Sequence, residues 1–350
     1  MKTGKLKTII RIIASAVVVV LVLTFLTLLL TPKFMSGVTE GAMIAEFYDE
    51  EMCHDVVFVG DCELYENISP VTLWENYGIS SYIRGSAQQL IWQSYYLMED
   101  TLRYEKPDVF VFNVLSMKYN TPQKETYNRM TLDGMRWSSS KIESINASML
   151  PEEHFIEYVF PILRFHSRWN DLTEDDINYL IDKDKVSHNG YYMRVDSKPV
   201  SKIPNGMPLG DYTFGDNAMY YLDKMVELCH KNNVELVLVK APSLFPVWYP
   251  EWDAQIEKFA SAHKIKYYNL LDCADTIGID WNTDTYDAGL HLNLSGATKT
   301  SVFLGQILRD ECHIKDHRGD PYYEKIWAPK IDFYYEDIEE QKIKYNITDN

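Results

Sequence analysis

The sequence predicts a doubly wound, three-layer α/β domain with a mainly parallel sheet. Short apolar runs rich in β-branched and aromatic residues recur at Asp55–Val59, Asp108–Leu115, Val234–Val239 and Ile265–Leu270. Segments with apolar residues at helical spacing lie between them, and that alternation favours parallel strands covered by helices on both faces. The first two runs bracket a β-α-β unit, whose crossover is expected to be right-handed.

Residues 1–11 carry Lys2, Lys5, Lys7 and Arg11 and no acid, and the stretch Ile12–Thr31 holds no charge. Its length matches the roughly 20 apolar residues that cross a bilayer as a helix. The basic flank predicts a cytoplasmic N-terminus with everything after Pro32 outside. A retained transmembrane signal anchor over 12–31 is the favoured reading; a cleaved signal peptide has a shorter apolar region and an A-x-A-like site, which is not seen.

A tether over 32–50 leads to an α/β domain over 51–315. Within it Asp55–Val59 is the first strand and Ser81–Arg84, ending at Gly85, the second. Ser86 with Gln89 makes a capping-box pattern, and Ile91, Tyr95, Met98 and Leu102 continue as a helical stripe. Asp108–Leu115 follows as a strand, and residues 117–215 read as a long insertion of helices and loops. Regular structure resumes with a helix near Asp216–Lys231, its stripe formed by Met219, Leu222, Val226 and Cys229. Then come the strand Val234–Val239, a helix near Trp252–His263, the strand Ile265–Leu270 and a last helix capped by Ser295. The acidic, aromatic tail 316–350 is expected to wrap the domain or fray.

The chain has 34 Lys and Arg against 51 Asp and Glu, a formal charge of −17. Such a surface repels nucleic acid and anionic lipid. Five cysteines, at 53, 62, 229, 273 and 312, are an odd number without a C-x-x-C pair, so a disulfide framework is not expected. Asn67, Asn146, Asn293 and Asn346 begin N-x-[ST] sequons, a pattern short enough to recur by chance. No cluster has zinc or calcium ligand spacing, and no cofactor or metal is expected.

The chemistry centres on Gly60-Asp61-Cys62-Glu63, where a strand delivers a thiol at a sharp turn. A thiol needs a base, and the best candidate is His291, in a Gly-containing loop just before the last helix, with Asp287 and Asp284 upstream. Arg84 and Lys240, at predicted strand ends, and His166, in the Arg/aromatic segment 163–170, are weaker candidates for substrate binding.

The Gly60-Asp61-Cys62 turn, the Gly85 loop and the C-terminal Asp/His-Leu-Asn block resemble the SGNH (GDSL-type) hydrolase superfamily, with Cys62 at the place of its serine. Within it the chain looks most like the membrane-anchored branch related to the teichoic acid D-alanyl transfer protein and the alginate O-acetylation proteins. That resemblance implies an SGNH-like fold and Cys62, His291 and Asp287 (or Asp284) as a relay. It also implies an oxyanion hole from the backbone N–H groups of Cys62 and Gly85, with Asn113 as a further donor. The implied partners are a membrane-bound O-acyltransferase and a cell-surface polysaccharide or teichoic acid.

The sequence departs from the pattern in three places: cysteine replaces serine, Asp287 lies four residues before the histidine instead of three, and no G-x-N-D block is present. Two functions are therefore expected in competition. One is an acyltransferase or esterase acting on acetyl or D-alanyl groups of a surface polymer. The other is an inactive domain of the same fold that presents polymer to the acyltransferase.

Overall fold

The computed structural model describes residues 2–32, 40–181, 185–203 and 205–347. Residues 33–39, most of the expected tether's first half, lie outside the described residues. The described chain forms two compact units, one of residues 1–39 and 151–184, the other of 40–150 and 185–350.

The first unit contains the N-terminal helix Lys2–Leu30, which bears its apolar side chains outward, together with the short helices Phe155–Val159, Ile162–Phe165 and Glu174–Ile181. Its 27-residue span Gly4–Leu30 measures about 40 Å at ~1.5 Å per residue, which exceeds a hydrocarbon core. The stretch read as one insertion thus divides: 151–184 groups with the N-terminal helix, and the flanking parts join the larger unit.

The larger unit is built on five parallel strands: β1 (Val56–Gly60), β2 (Ser81–Gly85), β3 (Val109–Asn113), β4 (Glu235–Lys240) and β5 (Lys266–Asn269). Their order is β2-β1-β3-β4-β5. Val56, Phe58, Val109, Val111, Val237 and Val239 point to one face, where they meet the helices Pro70–Tyr77, Leu294–Glu311 and Pro321–Tyr345. The alternate residues Val57, Val59, Phe110 and Phe112 turn to the other face, covered by the helices Ile91–Thr101 and Asp216–Asn232. Buried on both sides, β1, β3 and β4 read as continuous apolar runs, as parallel strands do.

Several local expectations are corrected. The helix near Ser86 begins at Ile91 instead, where Gln93 Oε1 accepts from the Leu90 N–H at 2.9 Å. Ser86 and Gln89 bond within a turn. Asn293, not Ser295, caps Leu294–Glu311 by accepting from the Gly296 N–H. On Asp216–Asn232 the buried stripe is Ala218, Tyr221, Leu222, Met225 and Cys229, so Met219 and Val226 sit at its margins. The C-terminal tail forms a 25-residue helix whose Trp327, Tyr334 and Ile338 join the core, with Trp327 stacked on Trp74 at 5.0 Å. Aromatic spacing along an otherwise acidic segment supplies that buried stripe.

After β1 the chain crosses to β2 on one side of the sheet, and after β3 it crosses to β4 on the other. The carboxyl ends of β1 and β3 therefore flank a crevice, the usual ligand position in open α/β sheets.

Candidate active site

Three strand ends converge on that crevice. Gly60 ends β1 in register with Gly85 of β2. Both positions are crowded: a Cβ on Gly60 would come within 2.9 Å of the Asn113 Cβ, and one on Gly85 within 3.1 Å of the Gly60 carbonyl oxygen. Extended Asp61 then leads into the four-residue helix Cys62–Tyr65, placing the thiol just beyond the sheet.

Buried Asp61 accepts from Asn113 Nδ2 at 2.9 Å. The next carboxylate, Glu63, is also buried and takes two contacts from Lys240 Nζ, at 2.8 and 3.0 Å, and one from Asn113 Nδ2 at 3.2 Å. Asn113 Oδ1 accepts from the Ala241 N–H at 3.1 Å. Burial raises both acids, opposed by Lys118 and Asn113 at Asp61 and by Lys240 at Glu63.

His291 approaches from the loop before Leu294–Glu311. Its Nδ1 lies 2.7 Å from Asp287 Oδ2, and its backbone N–H donates to Asp287 Oδ1 at 2.8 Å. The extra residue between acid and histidine is taken up by a left-handed turn, with φ of 67° at Ala288 and 99° at Gly289. At 99° a side chain would be strained, which accounts for glycine there. Thr285 Oγ1 closes the loop, accepting from the Gly289 N–H and donating to the His291 carbonyl. Asn67 Oδ1 accepts from the Leu292 N–H at 2.8 Å, fastening this loop to the segment behind Cys62.

A second carboxylate, Glu66, stands 3.6 Å from His291 Nδ1 and accepts from the Tyr286 hydroxyl. The Tyr286 ring stacks on His291, and the Arg194 guanidinium lies over the Tyr286 ring, 4.4 Å from its centroid. With Nδ1 held by acids, the remaining nitrogen is Nε2, which is buried and interacts with the Cys62 thiol. Burial pulls the imidazole's basicity down, while the charges on Cys62, then Glu66 and Asp287, push it up. The Cys62 thiol is pushed up to about 11 by burial, while His291 pulls it back. Each of the two groups thus favours the charged form of the other.

The other candidates fall elsewhere. Asp284 is buried and accepts from Lys299 Nζ, Ser295 Oγ and the Asp280 N–H, which hold it low despite burial, so it fastens the start of the last helix. Arg84 was expected at the cleft, but its side chain turns to the opposite face and is fully buried against Asp100 (3.0 Å), Thr101, Tyr48 and the Leu97 carbonyl. Lys240, also expected to touch substrate, is fully buried in its pair with Glu63. Asn113 spends both amide hydrogens on Asp61 and Glu63 and has none for an oxyanion. His166 lies in the smaller unit and contacts the carbonyl of Leu163. The sequons at Asn67 and Asn293 are buried and closed to glycosylation.

Residues not anticipated from the sequence are Glu66, Asn67, Tyr286 and Lys118. Glu66 and Asn67 were visible as polar residues one turn behind the thiol, a costly place for them unless they bond. Lys118 ends the short 3-10 helix after β3, 4.9 Å from the Tyr119 ring centroid. Burial lowers its ammonium, and Asp61, Glu63 and Cys62 oppose that shift, so it is the cation facing the thiol side of the crevice.

No family model matches the chain, and no curated protein matches it. Among solved structures it is similar to a candidate lipolytic protein of the G-D-S-L family from Desulfitobacterium hafniense DCB-2. That pair is 12% identical with a TM-score of 0.37, over 72% of this chain and 98% of the other. A candidate acylhydrolase from Bacteroides fragilis NCTC 9343 is 14% identical with a TM-score of 0.38, over 77% and 95%. Likenesses this distant assign neither family nor activity to the chain.

Proposed function

We propose that the chain is an SGNH-like acyl-ester hydrolase or O-acyltransferase, with Cys62 as nucleophile, His291 as base and then acid, and Asp287 as the group that orients His291. The observation that carries this reading is the Asp287–His291 pair, which fixes one imidazole nitrogen and leaves Nε2 buried beside the thiol. Nε2 takes the thiol proton as sulfur attacks the ester carbonyl, and the oxyanion is received by the backbone N–H groups of Cys62 and Gly85. The alcohol leaves with the proton from Nε2, and a thioester remains on Cys62. Water or an acceptor hydroxyl then attacks the thioester, Nε2 removes its proton, and the thiol is restored.

The Lys2–Leu30 helix supports a single-pass anchor with the N-terminus inside and the larger unit outside. That placement suits acetyl or D-alanyl groups on a surface polysaccharide or teichoic acid, with a membrane-bound O-acyltransferase as partner.

The full chain in detergent, incubated with p-nitrophenyl acetate, is expected to carry one acetyl group on the Cys62 peptide, labile to hydroxylamine. Cys62→Ala is expected to lose both adduct and turnover. Turnover that survives in Cys62→Ala sinks the reading. One observation favours polymer presentation without chemistry: the Asn113 amide is spent inside the core, so the oxyanion lacks a side-chain amide donor. Polymer binding that persists in a wild-type chain unable to form the adduct is the outcome for that reading.

A further inference from the structure

The smaller unit buries one acid and exposes a row of large apolar side chains. In a water-soluble helical segment the acids face out and the large apolar side chains face in. Here Asp176 is only 3% exposed, whereas Ile181 is 81%, Trp169 63% and Phe160 53% exposed. Ile156, Leu163 and Ile177 are exposed as well.

The buried acid has a defined job. Asp176 Oδ1 and Oδ2 each accept from Arg168 Nη2 at 2.9 Å, and Oδ2 accepts from the Thr173 N–H at 3.1 Å. The same guanidinium donates through Nη1 to the Leu30 carbonyl at 3.2 Å, one of the carbonyls left unpaired at the end of the N-terminal helix. Helices Ile162–Phe165 and Glu174–Ile181 also pack against that helix. The Arg168–Asp176 pair is therefore gathered at the helix end, while large apolar side chains stand outward among exposed polar ones such as Arg164, Asp171 and Glu174. The helix itself exposes Phe25 and Leu28 near the same end.

We propose that residues 155–181 form a second membrane contact, a collar lying in the interface of the outer leaflet around the exit of the transmembrane helix. A bilayer is the occupant that the surface selects. Packing against a lipid-facing helix and bonding to its last turn place the collar at the boundary, and outward Trp and Phe suit the level of the headgroups. Arg168 and Asp176 satisfy each other and the Leu30 carbonyl, which is needed where water is scarce. The proposal rests on the anchor reading of Lys2–Leu30.

The test places the photoreactive residue p-benzoylphenylalanine at Phe160, Trp169 or, as a control, Tyr220, which is 56% exposed on the larger unit. The full chain is reconstituted into phosphatidylcholine vesicles, irradiated, and digested for mass spectrometry, and a parallel sample is extracted with alkali. Lipid adducts at 160 and 169 with none at 220, in a chain that alkali leaves in the membrane, are expected. Retention in the membrane with no lipid adduct at 160 or 169, or with crosslinks to protein only, overturns the collar and leaves the anchor standing. Release of the chain by alkali overturns the anchor and the collar together.

Discussion

Asp287 holds His291 at two points, its Oδ2 2.7 Å from the ring Nδ1 and its Oδ1 accepting the histidine's own backbone N–H at 2.8 Å. One carboxylate thus sets both the loop and the direction of the ring. Asp287→Asn keeps the shape but can present an N–H where an acceptor is needed. Ester turnover is expected to fall about 10²–10⁴-fold with little change in melting temperature. Asp284→Asn is expected to do the reverse, lowering the melting temperature with a small effect on turnover. Melting curves and p-nitrophenyl acetate hydrolysis on both variants separate the two roles.

The thiol, pushed up to about 11 by burial, predicts a pH dependence. The thiolate fraction rises toward that value, so alkylation of Cys62 by iodoacetamide should accelerate steadily from pH 7 to pH 10. His291 pulls the thiol down, so His291→Ala should slow alkylation at every pH in that range. A plateau below pH 8 in the wild-type chain would contradict the buried thiol.

Lys240 and Glu63 form a fully desolvated pair. Lys240→Met leaves Glu63 buried without its cation and is expected to cost about 3–5 kcal/mol in chemical denaturation. Adding Glu63→Gln should recover part of that loss, because a neutral amide can stay buried beside Asn113. Equal stability of the single and double variants would contradict the assignment.

Glu50 gives the fold an acid limit. Burial alone would raise it, but His54, Lys330 and Lys185 hold it at about 2, below the ordinary 4.5. The unfolded carboxylate binds its proton first as pH falls, so the contribution is complete above about 4.5 and lost on the way down to about 2. It amounts to roughly 3 kcal/mol at most. Glu50→Gln should flatten the dependence of stability on pH between 5 and 2, measured by denaturant titration.

Local chemistry in the sequence determined the sheet. Apolar runs of β-branched and aromatic residues fixed four of the strands to within two residues, and the fifth, Ser81–Gly85, was marked by its glycine. The same local logic named Cys62 and His291, since a thiol after a strand and a histidine before a helix are features of adjacent residues. Which acid serves His291 was open between Asp284 and Asp287, because the choice depends on the left-handed turn at Ala288 and Gly289.

Tertiary structure alone decided the fate of the polar residues at the strand ends. Arg84, Lys240 and Asn113 have the composition and position of cleft residues, yet each is consumed inside the protein, by Asp100 and by carboxylates 177 and 50 to 52 residues distant in sequence. A buried charge or amide must find a partner, and no local pattern shows which distant residue will supply it. The tail showed the same division: its aromatic residues were legible, but only the sheet face they cover made Trp327, Tyr334 and Ile338 a core.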